Sequence, residues 1–195
     1  MAEAVSSREI EGVTAPVAGA WEVDPNHTQL QFIARHMMVA KVRGKFEKWD
    51  ITLNIGEKPE DSTVTAVIQA ASLNSGVEDR DNHLRSGDFF DVEKYPTMTF
   101  TSTKVERGAD NTFKVTGDFT IRDVTKPLTF DVEYEGLWAD PWGGTRIAFT
   151  ATSEIEREDW GVSWNVALDK GGWLVSKKVQ IEVDLEAVHK VDAPA

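Results

Sequence analysis

The feature that most constrains this chain is a period-two alternation of apolar and polar residues, which begins at Trp21 and recurs in eight segments. That period puts every second side chain on one face, so each segment predicts a strand buried on one side only. The first runs from about Trp21 to His36, with Leu30, Phe32 and Ala34 in phase. Its Asp24-Pro25-Asn26 must bend, because proline cannot donate to a ladder. The second, Val42 to Ile55, changes phase between Phe46 and Trp49, which predicts a bulge near Glu47-Lys48. Val64, Ala66, Ile68 and Ala70 mark the third; Met98, Phe100 and Ser102 mark the fourth, after Tyr95-Pro96. The fifth sets Phe113, Val115, Phe119 and Ile121 against Lys114, Thr116, Asp118 and Thr120, and Gly117 in the inward phase leaves room for a large neighbour. Leu128, Phe130, Val132 and Tyr134 form the sixth, Ile147, Phe149, Ala151 and Ile155 the seventh, and Val179, Ile181, Val183 and Leu185 the eighth.

Eight one-sided strands on short connections must hide their apolar faces, and closing one sheet does so without leaving edges. The expected fold is all-β, an eight-stranded antiparallel lipocalin-like β-barrel. A two-sheet sandwich is the alternative, since alternation does not report closure. One short helix is expected between strands three and four, opened by Ser75 and Glu78 at capping-box spacing and ended by Gly87. Asp88-Phe89-Phe90 then returns apolar weight to the body. A second irregular segment runs from Asp159 to Gly172 and ends beside Trp173.

This pattern divides the chain into a flexible leader over 1–20, a barrel domain over 21–188 and a tail over 189–195. The leader carries Glu3, Arg8, Glu9 and Glu11 and lacks the basic start and apolar run of a secretory signal, so a cytoplasmic location is expected. No stretch approaches the roughly 20 apolar residues of a spanning helix. A net charge of −12 opposes binding to nucleic acid or an anionic membrane surface. The absence of cysteine excludes disulfides, thiolate zinc sites and a cysteine nucleophile.

Four strings, in order, carry a resemblance: WEVDPNHTQLQFIARH, RDNHLRSGDFFDVEKYP, GDFTIRDVTKPLTFDV and IEREDWGVSWN. Together they resemble the YceI-like family of polyisoprenoid-binding proteins, over about Trp21 to Val188. Thr28 stands where that family usually has serine, and Asp123 where glycine is more frequent. The resemblance implies a lipocalin-like barrel that holds an isoprenoid lipid or related amphiphile, commonly as a homodimer and without catalysis. Many such relatives are exported to the periplasm; the missing export signal departs from them.

The residues themselves give little sign of an enzyme. His27, His36, His83 and His189 are scattered with no metal-binding spacing, so no metal is expected, and no nucleophile elbow, phosphate loop or dinucleotide fingerprint occurs. Asp131, Glu133 and Glu135, then Glu154, Glu156 and Glu158, then Glu182, Asp184 and Glu186 alternate with apolar residues, which assigns them to the outer wall. Inward Phe and Met suit a filled core and a ligand pocket equally; the resemblance implies the pocket. No cofactor is expected beyond a bound isoprenoid lipid.

The expected apolar pore is formed by Phe32 and Phe46 on the first two strands, Ile68, Met98 and Phe100 on the next two, and Phe119, Phe130, Phe149, Val179 and Ile181 on the last four. Met38, Trp160 and Trp164 are expected to line it as well, and the loop tryptophans Trp142, Trp160, Trp164 and Trp173 suit a barrel mouth or a lid. Within the second string, Arg80, Asp81 and His83 fit either a head-group site or a hydrogen-bond clamp between helix and barrel. A barrel enzyme on a small hydrophobic substrate, and a ligand-free stress or interaction module, are the alternatives in other functional classes.

Overall fold

A computed structural model describes residues 6–10, 13–169 and 171–190. The chain opens with a hairpin, β1 (Ser7–Ile10) against β2 (Val13–Pro16). The first barrel strand is β3 (Gly19–Val23) continued by β4 (Gln29–His36), and the second is β5 (Ala40–Phe46) continued by β6 (Trp49–Ile55). The third is β7 (Thr63–Gln69), followed by the short β8 (Leu73–Asn74) and the helix α1 (Glu78–Arg85). Five long strands complete the body: β9 (Thr97–Arg107), β10 (Thr112–Ile121), β11 (Val124–Ala139), β12 (Gly144–Glu156) and β13 (Lys178–Lys190).

Neighbouring strands run in the order β12, β11, β10, β9, β7, β6, β3, β13, all antiparallel. The ring closes where β12 pairs β13, from Gly144 opposite Lys190 to Glu156 opposite Lys178. Closure settles the choice between barrel and sandwich: eight strands form one sheet with no free edge in the ring.

Both expected interruptions occur, and each is tied down locally. At the proline corner the Asp24 amide donates to the Glu186 carbonyl at 2.8 Å, and the Thr28 hydroxyl accepts from the Glu186 amide at 3.1 Å. The corner stays bound to β13 although the ladder is broken there. At Glu47-Lys48 the Lys48 amide donates to Ser72 Oγ at 3.0 Å, while the Gln69 amide takes the Lys48 carbonyl at 2.9 Å. Backbone groups that lose a ladder partner find others here: β13 and Thr28 supply them at the first break, and Gln69 and Ser72 at the second.

Inside, buried side chains form two clusters. One gathers Leu30, Phe46, Ile68, Leu73, Met98, Phe119, Trp160 and their neighbours at the helix end; the other centres on Trp21, Leu53, Ile147 and Ala187. Complete burial of a side chain such as Ile147 contributes roughly 1.5–3 kcal/mol. Gly117 behaves as its phase suggests: a Cβ there would lie 2.5 Å from Phe100 Cζ. Gly44, opposite Phe32, does the same for that ring, with only 2.3 Å to Phe32 Cζ. Two bare backbone positions thus let two large rings lie flat against the wall.

Three local expectations need correction. Residues 1–20 read as a flexible leader, yet 7–10 and 13–16 pair as a hairpin. It is anchored by the Ser6 amide to Thr145 Oγ1 at 2.8 Å and by Arg8 to Glu57 at 2.7 Å. Residues 1–5 and 11–12 of that leader, and 191–195 of the expected tail, lie outside the described residues. Ser75 does not cap α1: the N-cap is Val77, and Ser75 turns its amide and hydroxyl to the Asp81 carboxylate instead. The helix ends at Ser86, whose amide bonds the His83 carbonyl, one residue before Gly87.

Candidate functional site

The barrel encloses a cavity of about 360 Å³ walled by inward side chains from every barrel strand. Phe32, Phe46, Ile68, Met98, Phe100, Phe119, Phe130, Phe149, Val179 and Ile181 all line it, at the positions that the alternation assigns inward. Their rings touch edgewise or at a tilt, with Phe32 and Phe46 centroids 5.6 Å apart and Phe100 and Phe130 5.3 Å apart. Such offset contacts hold the rings to the wall and to one another.

Met38, Trp160 and Trp164 lie outside the lining. Met38 is 52% exposed, on the tight tip that joins β4 to β5, where Met37 and Met38 both take left-handed φ and the chain reverses in solvent. Trp160 is buried beside the pore. Its ring meets Phe119 at 5.9 Å, and its indole N–H, which must find an acceptor once buried, donates to the Phe119 carbonyl at 3.0 Å. Trp164 stands on the helix end, edge-on to His83 at 4.6 Å and tilted on Phe89 at 5.3 Å.

Around α1 the polar residues are bound to protein. The Ser75 amide donates to Asp81 at 2.9 Å, and Arg80 Nε and Nη2 donate to the Ser75 hydroxyl and carbonyl, each at 2.7 Å. His83 Nε2 lies 2.8 Å from Asp88 Oδ2. Arg85 adds bonds to the carbonyls of Ala71 and Leu73. Arg80, Asp81 and His83 thus bond to Ser75 and Asp88, the segments that flank the helix, while Arg85 ties the helix to β8. What reaches the cavity from here is apolar: Leu84, Phe89 and Phe90.

Among the described residues, three buried side-chain atoms lack a hydrogen-bond partner: Arg8 Nε, Tyr134 Oη and Arg157 Nη2. All three residues line the cavity. Burial pushes the Tyr134 phenol up to about 12, so it stays a neutral donor. Arg157 continues the inward phase of Ile155, a signal open to sequence reading, whereas nothing in the pattern of 1–20 announces Arg8 as lining.

The outer wall has a different polar centre. Arg146 Nη1 bonds Asp24 Oδ2 at 2.7 Å and also Glu186 Oε1, while its Nε reaches Asp140 Oδ2 at 3.2 Å. The guanidinium holds the Asp24 carboxyl well below the usual carboxylate range, and the carboxylates hold Arg146 above its own. His27 Nδ1 joins at 3.0 Å from Asp24, which brings three groups of metal-ligating type together. The position between the two carboxylates is taken by the arginine cation. Glu186, expected simply on the outer wall, is half-buried in this network.

The family model that matches is the YceI-like domain, over residues 21–187. This chain belongs to that family. The "UPF0312 protein SAS2572" of Staphylococcus aureus (strain MSSA476) is 38% identical over 166 residues, which cover 84% of this chain and 94% of that protein. Among solved structures, the YCEI protein of Campylobacter jejuni is similar with a TM-score of 0.68 and 28% identity, covering 80% of this chain and 90% of that one. Burkholderia cenocepacia BcnA shares the fold at a TM-score of 0.73 and 23% identity, covering 85% and 99%. A polyisoprenoid binding domain from Saccharophagus degradans shares it at 0.64 and 17%, covering 88% and 98%. The YceI-like match begins at Trp21, so the β1–β2 hairpin at one end of the pore lies outside the family's common part.

Proposed function

We propose that this YceI-like barrel is a non-enzymatic carrier. Its interior holds the tail of a long-chain isoprenoid, a polyprenyl or isoprenoid quinone, or a similar amphiphilic lipid, for transport or storage. The observation that carries this reading is the cavity itself, about 360 Å³ in volume and lined mostly by apolar side chains drawn from all around the barrel. The shared fold of the Saccharophagus polyisoprenoid binding domain supports the choice of lipid class.

Removing each methylene from water contributes on the order of ~0.8 kcal/mol, less whatever tail ordering costs, so a few buried isoprene units give useful affinity without specific contacts. An enzyme would need polar groups that converge on a reacting atom. Tyr134 pairs with Phe149, and Arg157 follows eight residues later, roughly 25 Å along the strand direction. Groups so far apart suit the two ends of a long ligand better than an acid and base pair.

Native mass spectrometry of protein from cells, followed by organic extraction, tests the proposal. An apolar molecule should be carried, or an added isoprenoid quinone should bind saturably and quench tryptophan fluorescence. Tight binding of nucleotides or metals with no lipid uptake would overturn it.

A further inference from the structure

Arg157 is the polar group that the barrel leaves least explained. It is 5% exposed, lines the cavity and sits where β12 passes into the turn Arg157–Trp160. Its Nε donates to the Ser176 carbonyl at 2.9 Å and its Nη1 to the Val162 carbonyl, which fixes the plane of the guanidinium. Its Nη2 has no acceptor among the described residues, and no carboxylate there pairs with it. Glu158, its neighbour in the chain, is bound by Lys177 Nζ at 2.9 Å. The Glu158 carboxylate still acts on the Arg157 charge through space, and the Phe89 ring lies 5.8 Å from Cζ.

A buried cation without a paired carboxylate is costly in an apolar wall, and fold stability alone gives no reason for one. A water molecule could satisfy an N–H but not the charge. Burial lowers the proton affinity of Arg157, although a guanidinium remains charged at any physiological pH. The side chain is therefore held rigid and charged with its Nη2 hydrogens free, an arrangement that donates to an oxyanion at little ordering cost.

Resting on the carrier reading, we propose that Arg157 is the head-group station of the pore. Its Nη2 edge binds an oxyanion on the head of the bound lipid, a phosphate or a carboxylate, and it prefers such a head to a neutral one. The tail then runs from Phe89 and Val162 along the barrel toward Tyr134 and the β1–β2 hairpin.

The test is a fluorescence titration of wild-type protein and of Arg157→Gln with three probes of one tail: geranylgeranyl monophosphate, geranylgeranoic acid and geranylgeraniol. Wild type should bind an anionic probe roughly 10- to 100-fold more tightly than the alcohol. Arg157→Gln should lose that preference, its affinity for the anionic probes falling to that for the alcohol. Preference for both anions assigns a general oxyanion station; preference for the monophosphate alone assigns a phosphate head, and for the acid alone a carboxylate head. Should Arg157→Gln fail to fold, the Arg157 Nε–H resonance of wild type should move on adding an anionic probe and stay in place with the alcohol. Equal affinities in wild type, a preference that survives in Arg157→Gln, or a resonance that ignores the anions would overturn the assignment and leave the carrier reading standing. If none of the three probes binds, both fall.

Discussion

Arg146 and Arg157 lie on one stretch of chain, the first within β12 and the second just past its end, and they face opposite sides of the wall. Arg146, outward, is met by Asp24, Asp140 and Glu186. Arg157, inward, is met by two carbonyls and no carboxylate among the described residues. The difference teaches how this barrel divides its labour. Outside, a closed ion network pins the β3–β4 corner to β12 and β13; inside, polar capacity is left open where a ligand can reach it. The apolar wall repeats the contrast, since Ile147 is wholly buried against Trp21, Leu53 and Ala187, while Phe130 is only partly buried and turns its ring to the cavity.

The largest effect expected is on that apolar contrast. Ile147→Ala should lower stability by about 3 kcal/mol, since its tightly packed surroundings cannot collapse into the gap. Phe130→Ala removes a larger side chain, yet should cost only about 1–2 kcal/mol in ligand-free protein while weakening lipid uptake. Urea denaturation of both variants checks this. A Phe130→Ala loss equal to or above that of Ile147→Ala would mean that the interior is filled.

Next comes the outer network. Arg146→Met strands three acidic side chains against partly buried surroundings and should cost about 2 kcal/mol, below the figure for fully buried pairs because solvent reaches Arg146. The same network makes a pH prediction. Asp24 has its carboxyl pKa depressed on folding, so its contribution is present above its ordinary value of 3.8 and is lost as pH falls below it toward the folded value. Thermal melts should show the wild type losing stability as pH falls from about 5 to 3, and Asp24→Asn losing less over the same range.

Arg157→Met should move stability far less than Arg146→Met, within about 1 kcal/mol in ligand-free protein, because two hydrogen bonds are lost but an unpaired buried charge goes with them. A loss as large as that of Arg146→Met would show that Arg157 has a counter-ion in solution and would erase the contrast.

How far the two arginines can be read from sequence follows from the range of the forces that place them. Alternation is local, so it exposes the eight strands, the breaks at Pro25 and Glu47-Lys48, the room above Gly117, and ten of the expected pore residues. It also puts Arg157 in the inward phase after Ile155, although phase says nothing of whether a counter-ion is near. The network of Arg146 joins residues 122 and 40 positions away, through a closure that no local pattern reports. Met38 misled because a residue at a hairpin tip has no wall to face. The β1–β2 hairpin escaped because two four-residue strands carry too little alternation to stand out from a polar leader.

The smallest effect expected belongs to the outer face of β10, and it guards against counting every polar contact as Arg146 is counted. Lys114 Nζ lies 2.6 Å from Asp131 Oδ1, as close as any pairing in the Arg146 network for which a normal contact is found, and the pair raises the Lys114 pKa. Both side chains are nonetheless more than half exposed, so water and salt screen the attraction, and ordering two mobile side chains offsets much of what remains. Thr120, two strand positions beyond Asp118, bonds Thr125 across the hairpin at 2.8 Å, again in contact with solvent. Thr120→Ala should change stability by less than about 0.5 kcal/mol. Asp131→Ala should leave the melting temperature unchanged at physiological ionic strength, and both variants should take up lipid as wild type does. Calorimetry with a salt series checks the pair. If Asp131→Ala melted as low as Arg146→Met, distance and not burial would govern these ion pairs, and the division between an inert outer face and a closed network would fail.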